Sequence, residues 1–185
     1  LLYPISPNIH VSCPGGSDGR LRISVSSGIT APYTYWLVKN DADTLYTGVF
    51  NSNYSSSDPS TYKMITGLTI GTYRFIIRDV NGCIIDRVAT LNEPLPITVA
   101  FGKSNYAGGY NVSCRGYSNG SAWVQTISGG NGSYTHQWFP AAGTLSVRTT
   151  GPILDSIPAG KYYLVTRDLM GCMKTDSVLI TEPDG

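Results

Sequence analysis

The sequence predicts an all-β protein built as two domains in tandem, and three observations carry that prediction. Glycine (21) and tyrosine (13) are abundant, and Leu-rich segments with a 3.6-residue period are few, the composition of strands joined by tight turns. Short stretches alternate apolar and polar side chains. The chain also repeats itself: "VSCPGGSDGR" at Val11 returns as "VSCRGYSNGS" at Val112, and such self-similarity reorganises every later reading. A chain of 185 residues has room for two domains of roughly a hundred each, either of which can bury a core.

The repeat continues in order. Cys13 maps onto Cys114 and Gly19 onto Gly120, both 101 positions on; "SSGITAPYTYW" answers "SGGNGSYTHQW", setting Trp36 against Trp138 with one residue slipped. Further along, "GLTIGTYRFIIRDVNGC" answers "SIPAGKYYLVTRDLMGC" and "LNEP" answers "ITEP", with Cys83 and Cys172 89 positions apart. The first copy therefore carries about a dozen extra residues, which fall in "KNDADTLYTGVFNSNYSSSDPSTYK" (about 40–63) and predict an exposed loop or an extra edge hairpin. Glu93-Pro94-Leu95-Pro96 marks the joint, because two prolines remove backbone donors and stiffen the chain. The expected domains are 1–94 and 95–185.

Within each copy the strands are legible. In "GRLRISVSSG", Leu21, Ile23 and Val25 share one face and Arg22, Ser24 and Ser26 the other; in "GTYRFIIRD", Tyr73, Phe75 and Ile77 point inward, as do Tyr162 and Leu164 in the second copy. Turns such as "NG", "GG" and "SG" separate them and predict a β-sandwich. Trp36 and Trp138 sit where immunoglobulin-like domains keep a core tryptophan, and Tyr73 and Tyr162 where such domains keep a tyrosine corner. The predicted fold is two tandem immunoglobulin-like β-sandwich domains.

Each copy has one cysteine before its first clear strand (Cys13, Cys114) and one after the "DVNG"/"DLMG" turn (Cys83, Cys172). An even count, one pair per repeat, points to an oxidising compartment and disulfides. Pairing within the repeat, Cys13 with Cys83 and Cys114 with Cys172, is the first choice because the pair travels with the repeat. A bridge closing about 70 residues contributes roughly 4 kcal/mol in the chain-entropy picture. Standard immunoglobulin topology raises an objection. It sets the two cysteines of one repeat at opposite ends of the sandwich, about 25 Å apart for eight-residue strands, far beyond disulfide reach. The alternative sets Cys13 against Cys172 and leaves Cys83 and Cys114 free or bonded to absent neighbours.

Composition and spacing exclude most chemistries. With 13 Lys+Arg against 12 Asp+Glu, a net charge of +1 and no run of Lys or Arg, nucleic acid, which needs a basic face, is not expected as a partner. No apolar run approaches the roughly 18 residues that span a bilayer, so no membrane insertion is expected. "LLYPISP" lacks the basic and apolar regions of a signal peptide and reads as the interior of a longer chain. The two histidines, His10 and His136, have no counterpart in the other copy, which disfavours a Cys–His nucleophile. The chain has no CxxC for zinc, and "GGSDG" lacks the lysine and helix of a phosphate loop. Asp18, Asp79 and Asp168 are too sparsely flanked by oxygens for a calcium loop and read as turn caps. No acid–base carboxylate pair stands out, and neither a cofactor nor a metal is expected. One asymmetry remains: Trp123 aligns with Arg22 and by strand parity points outward, marking either a sugar or protein contact or a residue that the neighbouring repeat covers.

Taken together, "VSCxGxSDG", "SGGxxxYxxxW", "AGxYxxxxxDxxGC" and "TEP" resemble the SprB repeat, a β-sandwich unit strung in tandem in large cell-surface adhesins of gliding Bacteroidota. The resemblance covers nearly the whole chain twice. It departs at "SSGIT" for the double glycine, at Asn119 for the aspartate, and at "DLMGC" for a polar turn. It implies export by the type IX secretion system and display on, or release from, the outer membrane. In that lineage an Asp-Ser/Thr-aliphatic motif carries O-glycans, which would place them at Thr44, Ser156 and Ser177. The expected function is a non-enzymatic structural or adhesive segment whose partners are neighbouring repeats, surface polysaccharide or other adhesin subunits. The alternative is a carbohydrate-binding or accessory module of a secreted polysaccharide-degrading enzyme, suggested by Trp123 and by Tyr46, Phe50, Tyr54 and Tyr62 in the insertion.

Overall fold

The computed structural model describes residues 9–140 and 149–184; the stretch "LLYPISP" at the start lies outside them. The chain divides into two compact units, Leu1–Pro94 and Leu95–Gly185. Among the described residues, all the regular structure beyond two short 3-10 turns is β.

In the first unit β1 (Gly19–Ser24) pairs with β4 (Tyr62–Leu68), and a second sheet runs in the order β3-β2-β5-β6, from β2 (Tyr33–Lys39), β3 (Asp43–Phe50), β5 (Gly71–Asp79) and β6 (Ile84–Leu91). The predicted alternation places Leu21 and Ile23 of β1 opposite Tyr33, Tyr35 and Leu37 of β2, all buried in one core. The insertion supplies the edge hairpin. Asn40 and Asp41 both adopt positive φ (50° and 55°), the turn whose twist suits two antiparallel strands, and β3 then extends along β2 as far as Phe50.

The second unit repeats the plan. β7 (Thr98–Lys103), β8 (Gly120–Ser128) and β11 (Ile153–Ile157) form one sheet in the order β11-β8-β7. β9 (Thr135–Phe139), β10 (Thr149–Thr150), β12 (Gly160–Arg167) and β13 (Met173–Ile180) form the other, in the order β10-β9-β12-β13. Trp138, Leu154, Ile157 and Leu164 fill the space between the sheets, each at most 1% exposed. Two sheets face to face per unit, antiparallel throughout, make each unit an immunoglobulin-like sandwich.

Both tyrosine corners form. Tyr73 donates its hydroxyl to the carbonyl of Thr69 (2.8 Å) and Tyr162 to that of Pro158 (3.0 Å), each closing its own strand entry four residues upstream. The tryptophans do not behave alike. Trp138 is fully buried opposite Leu164, but the residue opposite Phe75, the repeat counterpart of Leu164, is Leu37. Leu37, 101 positions before Trp138, therefore holds the core place. Trp36 pairs with Ile76, on the other face of the sheet, and is half-buried there. Aligning the two tryptophans with a one-residue slip assigned Trp36 to the wrong face, since a shift of one residue along a strand reverses every side chain.

Candidate functional site

The strongest repeated features lie at the two ends of each unit, and both hold a cysteine. At the trailing end, where the chain leaves the first unit, the amides of His10 and Val11 donate to the carbonyl of Asn92 (2.9 and 3.1 Å). In the second unit Asn111 and Val112 donate to Thr181 (2.9 and 3.0 Å). The loop that follows carries Cys13 or Cys114. It is closed by a turn (Gly16 amide to Cys13 carbonyl, 2.9 Å; Tyr117 amide to Cys114 carbonyl, 3.1 Å). It is also pinned by the glutamate of "NEP" or "TEP": Glu93 accepts from the Gly15 amide (2.6 Å) and Glu182 from the Gly116 amide (2.7 Å). Asp18 accepts from the Ser12 amide (2.9 Å), and Asn119 in the second unit accepts from Ser113 in the same way (3.1 Å). Partial burial pushes the Asp18 carboxyl up, but the Ser12 hydrogen bonds outweigh it and hold the group below its ordinary range. The aspartate-to-asparagine difference between the copies thus preserves the cap.

At the leading end the cysteine follows a tight turn. The Cys83 amide donates to Asp79 Oδ1 (2.7 Å) and the Cys172 amide to Asp168 Oδ1 (2.9 Å), while the aspartate amides return bonds to the Cys83 and Cys172 carbonyls (3.0 and 3.1 Å). Asp79 also accepts from the Thr30 amide (3.1 Å). The Thr30 bond and the turn amides set the Asp79 carboxyl low. Burial pushes Asp168 up, yet its bonds from Asn131, Cys172 and Met170 more than compensate and its pKa is lowered. The chain enters the second unit beside this turn: the Gly130 amide donates to the Leu95 carbonyl (2.7 Å), and Asn131 donates to Asp168 (2.7 Å). Both aspartates are occupied as turn clamps.

The cysteine pattern differs from the first-choice pairing. Cys83 and Cys114 are exposed free thiols, whereas Cys13 and Cys172 are disulfide-bonded. Neither bridge within a repeat forms, for a geometric reason. In the first unit Cys13 is tied to the Asn92 end of β6 and Cys83 precedes Ile84 at the other. In the second, Cys114 is tied to the Thr181 end of β13 and Cys172 precedes Met173. Eight residues of strand separate each pair, about 25 Å, against a Cα separation below about 7 Å in a disulfide.

The aromatic residues of the insertion are not gathered into one surface. Phe50 is buried (4% exposed) and stacked on Tyr35 at 4.6 Å. It is a core residue and not a contact residue, because β3 is a full strand of the sandwich whose last side chain turns inward. Tyr54 and Tyr62 are half-buried and held by Arg22, whose guanidinium lies 4.6 Å from the Tyr54 ring and 5.9 Å from Tyr62 and donates to the Tyr54 hydroxyl (2.9 Å). Cation–π stacking of this kind staples the insertion to β1. Tyr46 alone of the four is exposed, on β3. Trp123, at the position of Arg22, points outward as parity requires and is 36% exposed. Its indole lies across Gly102 of β7, so closely that a Cβ at 102 would stand 2.2 Å from the ring. A cleft of about 710 Å³ opens in the first unit between β1 and β6, floored by Ile23, Phe75, Ile85 and Ala89 and rimmed by Arg22 and Arg87. In the second unit the same flank of β8 is taken by β7, whose Phe101 packs on Trp138 (5.7 Å).

His10 is buried and its Nδ1 accepts from the Asn92 amide (3.2 Å), the role Asn111 Oδ1 plays toward the Thr181 amide in the other unit (3.1 Å). His136 bonds Thr166 (3.2 Å), and burial lowers its pKa. Among the described residues no group of three or more His, Cys, Asp or Glu is placed to hold a metal. No helix there is long and apolar enough to cross a membrane. The hydroxyls of Thr44, Ser156 and Ser177 all sit on exposed positions, with the aliphatic residue of the last two motifs, Ile157 and Val178, buried beneath.

The family model of the SprB repeat matches residues 10–40 and 110–151, at equivalent places in the two units. One match to the SprB repeat thus falls in each unit. No curated protein matches it. Among solved structures it is similar to an amphioxus IgVJ-C2 molecule (17% identity, 90% of this chain and 97% of that one, TM-score 0.36). It is similar also to a C-terminal fragment of intimin in complex with the intimin-binding domain of the translocated intimin receptor (15%, 98% and 63%, 0.42). A third is a structure of fibronectin(III)-like modules of CbhA from Clostridium thermocellum (16%, 98% and 94%, 0.34). The SprB match and the disulfide-bonded cysteines fit an extracellular repeat module.

Proposed function

We propose that this chain is a non-enzymatic segment of a repeat-built cell-surface adhesin of the gliding or surface-attachment type, exported by type IX secretion and held at the outer membrane. The observation that carries the reading is the placement of each unit's two ends. In the second unit the chain arrives beside the Asp168–Cys172 turn and leaves beside the Cys114 loop, at the far end of an eight-residue strand. A unit entered at one end and left at the other stacks in one direction, and a stiff Pro-containing joint then makes a stalk. Asp18, Asp79 and Asp168 are spent as clamps on the turns that define those ends. Small-angle scattering of the chain tests the reading: a rod about two sandwiches long is expected, and a compact or freely jointed pair would overturn it.

The carbohydrate-binding alternative draws on Trp123 and Tyr46, which are the exposed candidate aromatics. They belong to different units, and Phe50, Tyr54 and Tyr62 are engaged within their own. Glycan-array binding lost in Trp123→Ala would restore it; no binding in either form removes it.

A further inference from the structure

The two free thiols occupy places that are oxidised elsewhere in the same chain. Cys114 sits in the trailing-end loop, with the same closing turn and the same glutamate pin as Cys13, which is disulfide-bonded. Cys83 sits in the leading-end turn, with the same aspartate clamp as Cys172, which is also disulfide-bonded. One trailing-end and one leading-end cysteine are thus bonded, and the remaining one of each kind is exposed and free. The backbone that would present each sulfur is already built, because both loops are fixed by hydrogen bonds that do not involve the thiol.

We propose that Cys114 and Cys83 are the two halves of a directional head-to-tail cross-link. The trailing-end thiol of one chain bonds the leading-end thiol of the next unit of the same kind, which for the isolated protein is a second copy. Two thiols become one disulfide with loss of two protons and two electrons, and an organic disulfide such as oxidised glutathione is the acceptor. One cysteine thiolate attacks it and releases one glutathione thiolate; the partner thiolate then attacks the mixed disulfide at the protein sulfur and releases the second. Exposure of both thiols lets the exchange proceed without unfolding. The inference deepens the array reading. Repeats can also stack through their joints alone, so failure of the cross-link leaves the scattering result untouched.

The test is oxidation of the concentrated chain by oxidised glutathione, followed by non-reducing electrophoresis and peptide mapping. The unaltered chain should build a ladder of covalent oligomers in which the peptide Asp79–Arg87 is joined to Ser104–Arg115. Cys83→Ser and Cys114→Ser should each remain monomeric alone, and an equimolar mixture of the two should stop at a dimer. A dimer from either variant alone would show a link between like ends and overturn the proposal. So would the absence of any ladder from a chain whose Cys83 and Cys114 both alkylate readily.

Discussion

Replacing Asp168 by alanine removes four hydrogen bonds at once. Its Oδ2 accepts from the Asn131 amide and side chain (2.7 and 2.9 Å), and its Oδ1 from the amides of Met170 and Cys172 (both 2.9 Å). The side chain is only 6% exposed, so water does not freely replace it. A hydrogen bond to a charged acceptor contributes about 1.5–3 kcal/mol, and bonds sharing one carboxylate are not additive, so the expected loss is about 3 kcal/mol. For a domain of this size that lowers the melting temperature of the second unit by roughly 12–24 °C. Thermal and urea unfolding of the whole chain reads it. Hydrogen exchange should locate it, with the amides of Asn131, Met170 and Cys172 losing protection while those of the first unit keep theirs. Asp168 is set below its unfolded value of 3.8, so the unfolded chain takes up protons first as acid is added. The advantage of Asp168 over alanine is therefore complete above about pH 3.8 and shrinks as the pH falls through the lowered folded value. An unchanged midpoint at neutral pH, or a gap between the two proteins that widens in acid, would refute the clamp.

The two tryptophan positions should separate sharply by stability. Trp138→Ala empties a fully buried core site and should cost about 3–5 kcal/mol, while Trp36→Ala, on the outer face, should cost about 1 kcal/mol; equal losses in urea unfolding would contradict the register. Gly102→Ala places a methyl 2.2 Å from the Trp123 indole, so the ring must leave β7. The tryptophan emission should shift to the red, and a Trp123→Phe background should abolish the shift. An unaltered spectrum would show that the ring does not rest there.

What the sequence made legible is what lies close along the chain or recurs in both copies. The alternation at Leu21 and Ile23, the tyrosine corners at Tyr73 and Tyr162, and the aspartate-capped turns each rest on a few neighbouring residues whose geometry is local. Trp36 was misplaced because an alignment slip of one residue costs nothing in sequence similarity and yet reverses a strand face. Phe50 read as a surface contact because the apolar pattern of β3 is broken by Tyr46, Thr47 and Gly48, and an edge strand buries too little to enforce alternation. Arg22 reaches Tyr54 and Tyr62 across 32 and 40 positions, a pairing set by β1 lying beside β4 and invisible before that sheet is known. The glutamates at 93 and 182 carried a signal in the repeated "NEP" and "TEP", but the loop each one pins lies nearly a whole domain away in sequence. Cysteine pairing was undecidable by spacing alone, since it depends on which end of the sandwich each loop closes.

Those ends are the foundation of the account, and differential alkylation reads them directly. Trypsin places the four cysteines in four peptides: Leu1–Arg20, Asp79–Arg87, Ser104–Arg115 and Asp168–Lys174. Labelling the folded protein before reduction should mark Cys83 and Cys114, with Cys13 and Cys172 labelled only after reduction. A linked peptide joining Cys13 to Cys83, or Cys114 to Cys172, would put both cysteines of a repeat at one end and contradict it.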